Sequence, residues 1–94
     1  MTAYWIAHIT VADEDTYDDY LMLAGPAVKS HGGTFLARGG RHVTMEGTDH
    51  GRNVVAKFPS FDAAVGCYQS PEYQKALEYA KRSSTRHLSI VEAA

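Results

Sequence analysis

At 94 residues, with 45% hydrophobic and 21% charged side chains, the chain fits a single domain and is too apolar for disorder. A domain of this size buries only about 60% of the surface its unfolded chain exposes, so its core is thin and association with another surface is favoured. The net charge of −2, with nine Lys and Arg scattered along the chain, offers no basic stripe, so neither nucleic acid nor membrane is an expected partner.

Residues 2–12 are uncharged but only a strand long, with no cationic lead and no cleavage site, so neither an export signal nor a membrane span is expected. Trp5, Ala7, Ile9 and Val11 alternate there with Tyr4, Ile6, His8 and Thr10, the two-residue period of a strand with unequal faces. Asp13 is placed to cap a helix whose first turn holds Glu14 and Asp15 and whose buried stripe is Tyr17, Tyr20, Leu21, Ala24 and Val28. Gly25-Pro26 predicts a kink or a restart, and Gly32-Gly33 a stop. A second strand follows over residues 34–38, which residues 42–46 can extend beyond the Gly39-Gly40 bend, with a hairpin tip at 47–51. The third strand is residues 53–58. Ser60 then caps a short helix to Tyr68, and Ser70-Pro71-Glu72 starts another that carries Tyr73, Ala76, Leu77 and Ala80 inward. Residues 86–91 make the last strand.

The order β-α-β-β-α-β predicts one α+β domain over residues 1–94, a ferredoxin-like split β-α-β fold with a four-stranded antiparallel sheet and its helices on one face. Trp5, Ala7, Ile9, Val54, Ala56, Phe58, Leu88 and Ile90 form the expected helix-packed side. Tyr4, Ile6, His8, Thr10, Leu36, Arg38, Val55, Lys57, His87, Ser89 and Val91 are left on the open side. That much apolar surface calls for cover, and a second copy supplies it in a dimeric α/β barrel, a homodimer with C₂ symmetry. Cys67, the single cysteine, cannot form an internal disulfide, in keeping with a cytoplasmic protein.

Several peptides together carry a family resemblance: Tyr4-Trp5-Ile6, Gly32-Gly33, Phe35-Leu36-Ala37-Arg38-Gly39-Gly40, Glu46-Gly47, Phe58-Pro59-Ser60, Ser70-Pro71-Glu72-Tyr73-Gln74 and Val91-Glu92. In this order, from Tyr4 to Glu92, the chain resembles the bacterial family called domain of unknown function 1330. The resemblance implies a dimeric α/β barrel and no particular reaction. Cys67 stands where that family commonly has tryptophan.

Candidate chemistry falls into three groups. On the open face His8, Arg38, Lys57 and His87 can hold an anion, with Arg38 as a planar anchor and His8 as acid or base; the alternative is that they make interface ion pairs with Glu46 or Glu92. Tyr68 and Tyr73, on helical stripes with Tyr17 and Tyr20, pack the core or line a pocket under the helices. The five histidines lack the spacing of a metal site, so no metal is expected. No haem ligand, phosphate loop or dinucleotide fingerprint is present, and no cofactor is expected. Ser70 has no histidine nearby in sequence to activate it, and Cys67 reads as a small buried hydrophobe. Two functions follow: a cofactor-independent enzyme or binding protein for a small organic acid or aromatic compound, or a non-catalytic homodimeric module. A cavity meeting Arg38 and His8 would favour the first, a filled interior the second.

Overall fold

The alternating segment becomes β1 (Ala3–Val11); α1 (Glu14–Ser30), β2 (Thr34–Arg38), β3 (Arg52–Phe58), α2 (Phe61–Gln69), α3 (Pro71–Ser83) and β4 (Ser84–Glu92) follow in a computed structural model describing residues 1–94. The strands pair antiparallel in the order β2-β3-β1-β4. The fold is α+β and ferredoxin-like, with all helices on one side of the sheet. β1 is interior, and its register sets Trp5 beside Ala56 and Ile90, and Ala7 beside Val54 and Leu88. These residues face the helices, as the two-residue period requires.

Short polar side chains start each helix. Asp13 accepts from the Thr16 amide at 3.2 Å and the Thr16 hydroxyl at 2.8 Å, and these bonds hold its carboxyl below the usual range. Ser60 accepts from the Ala63 amide at 3.0 Å. Buried Ser70 joins two helices, because its Oγ accepts from the Tyr73 amide at 3.3 Å and donates to the Cys67 carbonyl at 2.7 Å. Over this junction lies the core's aromatic cluster. Trp5 donates from Nε1 to the Ala64 carbonyl at 3.0 Å and packs 4.9 Å from Tyr73 and 5.1 Å from Phe58.

Three expectations are corrected. Helix α1 runs unbroken through Gly25-Pro26. A proline ring crowds the Cβ of the residue before it, and Gly25 has none, so the helical conformation persists there. Residues 42–46 do not extend β2, and 47–51 are no hairpin tip: the chain from Gly39 to Gly51 is irregular, and residues 39–49 are all exposed. The loop folds on itself instead, with Thr44 donating to Asp49 Oδ1 at 2.7 Å. With no partner strand and no face to bury, alternation there had nothing to act on.

The third correction concerns Arg38. Thr34 and Phe35 pair with Lys57 and Ala56, but Ala37 and Arg38 pair with Val55 and Val54, so Leu36 is the extra residue of a β-bulge. Beyond it the alternation is inverted. Phe35 and Arg38 both turn to the helix side, and Arg38 does not join His8 on the open face.

Replacing Ser70→Ala removes a cap and leaves the buried Cys67 carbonyl without that donor. Urea denaturation is expected to show a loss of about 1–2 kcal/mol with an unchanged m-value; a loss within error of zero would contradict the role given to Ser70.

Candidate functional site

Helix α1 packs against α3 and stands away from the strand backbones. Under it the facing side chains are small or set aside, and a cavity of about 310 Å³ remains between α1 and the sheet, lined by Ala7, Ile9, Ala24, Gly25, Phe35, Val54 and Leu88 among its apolar residues. Its size lies at the low end of the roughly 300–1,000 Å³ typical of ligand pockets. The polar lining is Tyr17, Tyr20, Arg38, Arg52 and Arg86. No carboxylate lies within ion-pair distance of any of the three arginines, since both ion pairs in the chain use histidine.

Register explains the arginines. Ile9 pairs with Arg52 on β3 and with Arg86 on β4, so the two flank it on the helix side of the sheet. Arg86 Nη2 donates to the Tyr20 hydroxyl at 2.9 Å and to the Tyr73 hydroxyl at 3.1 Å, and the two hydroxyls are 2.8 Å apart. Its guanidinium lies 4.7 Å from the Tyr20 ring. Burial works against the Arg86 charge, but the Tyr20 and Tyr73 oxygens outweigh it and hold its pKa above the ordinary value. Arg52 sits 6.0 Å over the Tyr17 ring and reaches with Nη1 toward Gly39. Gly39 holds φ at +73°, so its backbone calls for glycine; a Cβ there would sit 2.5 Å from Arg52 Nη1, a flexible side-chain end able to move aside. Arg38 lies over the Phe35 ring at 4.5 Å. The Nε atoms of Arg52 and Arg86 are buried without a partner.

Burial raises the pKa of Tyr17, against the pull of Arg86 and Arg52, and lifts that of Tyr20 well above the usual 10.0, with Tyr73 adding to the rise. Both stay protonated donors at neutral pH. Cys67 is buried, which with Glu72 nearby pushes its thiol up to about 12, so it is no thiolate nucleophile at neutral pH.

The residues singled out from sequence are not brought together. Arg38 lines the cavity. Tyr73 is fully buried behind it and reaches it only through Tyr20 and Arg86. Tyr68 packs 5.2 Å from Tyr73 and 6.0 Å from Trp5 and does not line the cavity. Lys57 is exposed on the open face beside Tyr4 and Thr34. His8 is also there, pairing with His87 and Asn53 across β1. Asn53 Nδ2 donates to the His50 carbonyl at 3.2 Å, so its Oδ1 is turned to accept from His8 Nδ1 at 2.7 Å. His8, His42, His50 and His87 line a shallow hollow with Glu46. No three His, Cys, Asp or Glu side chains are arranged to hold a metal ion.

Arg52 and Arg86 were not singled out from sequence, although a signal existed. The period that turns Val54 and Ala56 inward also turns Arg52 inward, and that of Leu88 and Ile90 does the same for Arg86.

A family model described as a domain of unknown function, DUF1330, matches residues 2–94. The chain belongs to the DUF1330 family. A search of curated proteins finds no match. Among solved structures, this DUF1330 chain is similar to a protein of unknown function from Rhodopseudomonas palustris at 16% identity and TM-score 0.81, covering 99% of this chain and 82% of that one. It is similar to SnoaB, a cofactor-independent oxygenase from Streptomyces nogalater, at 13% identity and TM-score 0.71, covering 99% and 93%. A dimeric ferredoxin-like protein of unknown function from Thermobifida fusca matches at 17% identity and TM-score 0.66, covering 99% and 92%. These likenesses establish the fold.

Tyr17 and Tyr20 bind their protons more tightly folded than unfolded. The stability this contributes is fully present below pH 10 and is lost as pH rises toward their folded values. Tyrosinate absorbance of the native protein should therefore lag behind that of the urea-unfolded chain, and the Tyr20→Phe variant should show a smaller lag. Superimposable titrations would contradict the buried placement of these hydroxyls.

Proposed function

We propose that this DUF1330 chain is a cofactor-independent enzyme or binding protein for a small organic acid or aromatic compound, with one pocket per subunit between α1 and the sheet. The observation that carries this reading is a largely apolar cavity bordered by three arginines and two tyrosine hydroxyls with no carboxylate to neutralise them. An apolar body fits the floor, and an anionic or oxyanionic group meets the guanidiniums. A filled interior would have favoured the non-catalytic module; the cavity meets Arg38 but not His8. Arg38 serves as the rim anchor, while Tyr73 positions Arg86. SnoaB, an oxygenase that works without a cofactor, lends the fold a precedent for enzymatic use.

The working form in this reading is a homodimer in the cytoplasm. Tyr4, Ile6, Val55 and Val91 lie on the sheet side that no helix covers, and the Thermobifida fusca neighbour is described as dimeric. His8, Lys57 and His87 then belong to the interface. No helix is long and apolar enough to cross a membrane.

Two measurements test the reading. Size-exclusion chromatography with light scattering is expected to give twice the 10.3 kDa chain mass at micromolar concentration; a monomer would remove the dimer. A thermal-shift screen of small aromatic acids is expected to find a ligand that, at about a hundredfold its Kd, adds about 2.7 kcal/mol of stability. An Arg38→Gln, Arg52→Gln double variant should lose that response. A shift retained in full by the double variant would place the ligand elsewhere.

A further inference from the structure

The hydrogen-bond inventory around the cavity says more about its ligand. At one end Arg86 donates to both the Tyr20 and Tyr73 oxygens, which lie 2.8 Å apart. Two hydroxyls carry two protons. One lies between the oxygens, and the other meets no acceptor on the protein. Tyr20 lines the cavity and Tyr73 does not, so the arrangement that wastes least has Tyr73 donating to Tyr20 and Tyr20 donating into the cavity. Arg86 Nε is also buried without a partner. This end therefore presents donors only.

The other end repeats the imbalance. Arg52 Nε is buried without a partner, its guanidinium turned toward Gly39, and Arg38 stands one strand further out. Glu14 and Asp18 line a shallower groove outside this end, but neither is within ion-pair distance of Arg52. Arg52 and Arg86 belong to strands on opposite sides of β1, two strand spacings apart, roughly 9–10 Å between backbones. Ile9 and the apolar side chains around it fill the interval. A single carboxylate pairs with one end and leaves the guanidinium charge at the other without a counter-charge.

We infer that the cavity takes a two-headed acceptor: a flat apolar body with a carboxylate or comparable oxyanion at each end, one gripped by Arg86 and the Tyr20 hydroxyl, the other by Arg52 and Arg38. The inference rests on the pocket reading above and narrows it to dianionic ligands.

Calorimetric titration of the intact protein with benzene-1,4-dicarboxylate and with its monomethyl ester, at matched ionic strength, tests it. The two probes share a body and differ in one charge. The diacid is expected to bind at least tenfold more tightly, and Arg52→Gln is expected to erase that advantage, bringing the affinities of diacid and ester within twofold of each other. Tyr20→Phe should weaken the diacid severalfold; it keeps the ring and so guards against a collapse of the fold that an Arg86 substitution risks. Equal affinity for diacid and ester, in the wild type, overturns the two-headed ligand and leaves the pocket reading standing. Binding of neither probe, in a protein that does bind other aromatic compounds, overturns it equally, whereas a protein that binds no small acid or aromatic compound at all overturns both readings.

Discussion

The structure depends on how α1 is held. It packs along α3, and the hydroxyls of Tyr20 and Tyr73 are tied to Arg86 on β4, so one charged group links two helices to the sheet edge. Large rings fill the space beneath α2 and α3, where Trp5, Phe58 and Tyr73 stack. Small residues lie on both sides of the gap beneath α1, with Ala7 below and Ala24 and Gly25 above. Interiors pack densely wherever volumes allow. The cavity persists because the aromatic cluster props the helical layer on one side while the alanines on the other are too short to close the distance.

Holding an arginine there carries a desolvation cost, which the two tyrosine oxygens outweigh. A buried guanidinium needs acceptors, and Arg86 finds two oxygens for its Nη2 while its Nε goes without. Donors kept unsatisfied in an apolar setting act strongly on any negative charge that arrives or develops, because they need no reorganisation and little water competes with them. Binding and catalysis would draw on this same property, which is why the pocket supports either use.

Most of the scaffold was legible in the sequence. The order of elements along the chain, the helix-facing set from Trp5 to Ile90, and the caps at Asp13, Ser60 and Ser70 followed from period and local hydrogen-bonding chemistry. The site was less legible, for separable reasons. Arg52 and Arg86 share the inward phase of their strands, but an inward arginine conflicts with the rule that charged groups stay outside, and hydrophobic patterning passes over it. Tyr20 reads as core from its stripe; only the three-dimensional meeting with Arg86 gives its hydroxyl a role. Residues 42–46 read as a strand extension yet had no neighbour to pair with, which no local pattern reveals.

The bulge at Leu36 carries a last consequence. A strand edge with one surplus residue acts as a polarity switch: pairing Leu36 into the ladder opposite Val55 would slide Arg38 on to Asn53 and send its side chain to the opposite surface of the sheet, away from the cavity and toward the neighbouring histidines, whereas deleting Leu36 would leave Arg38 beside Val54. A chain of this fold can thus trade a ligand anchor for an assembly contact by gaining or losing the bulge at unchanged length, with the arginine itself in place. Residue identity at this position is then a poor guide to pocket chemistry unless the pairing register is compared alongside it.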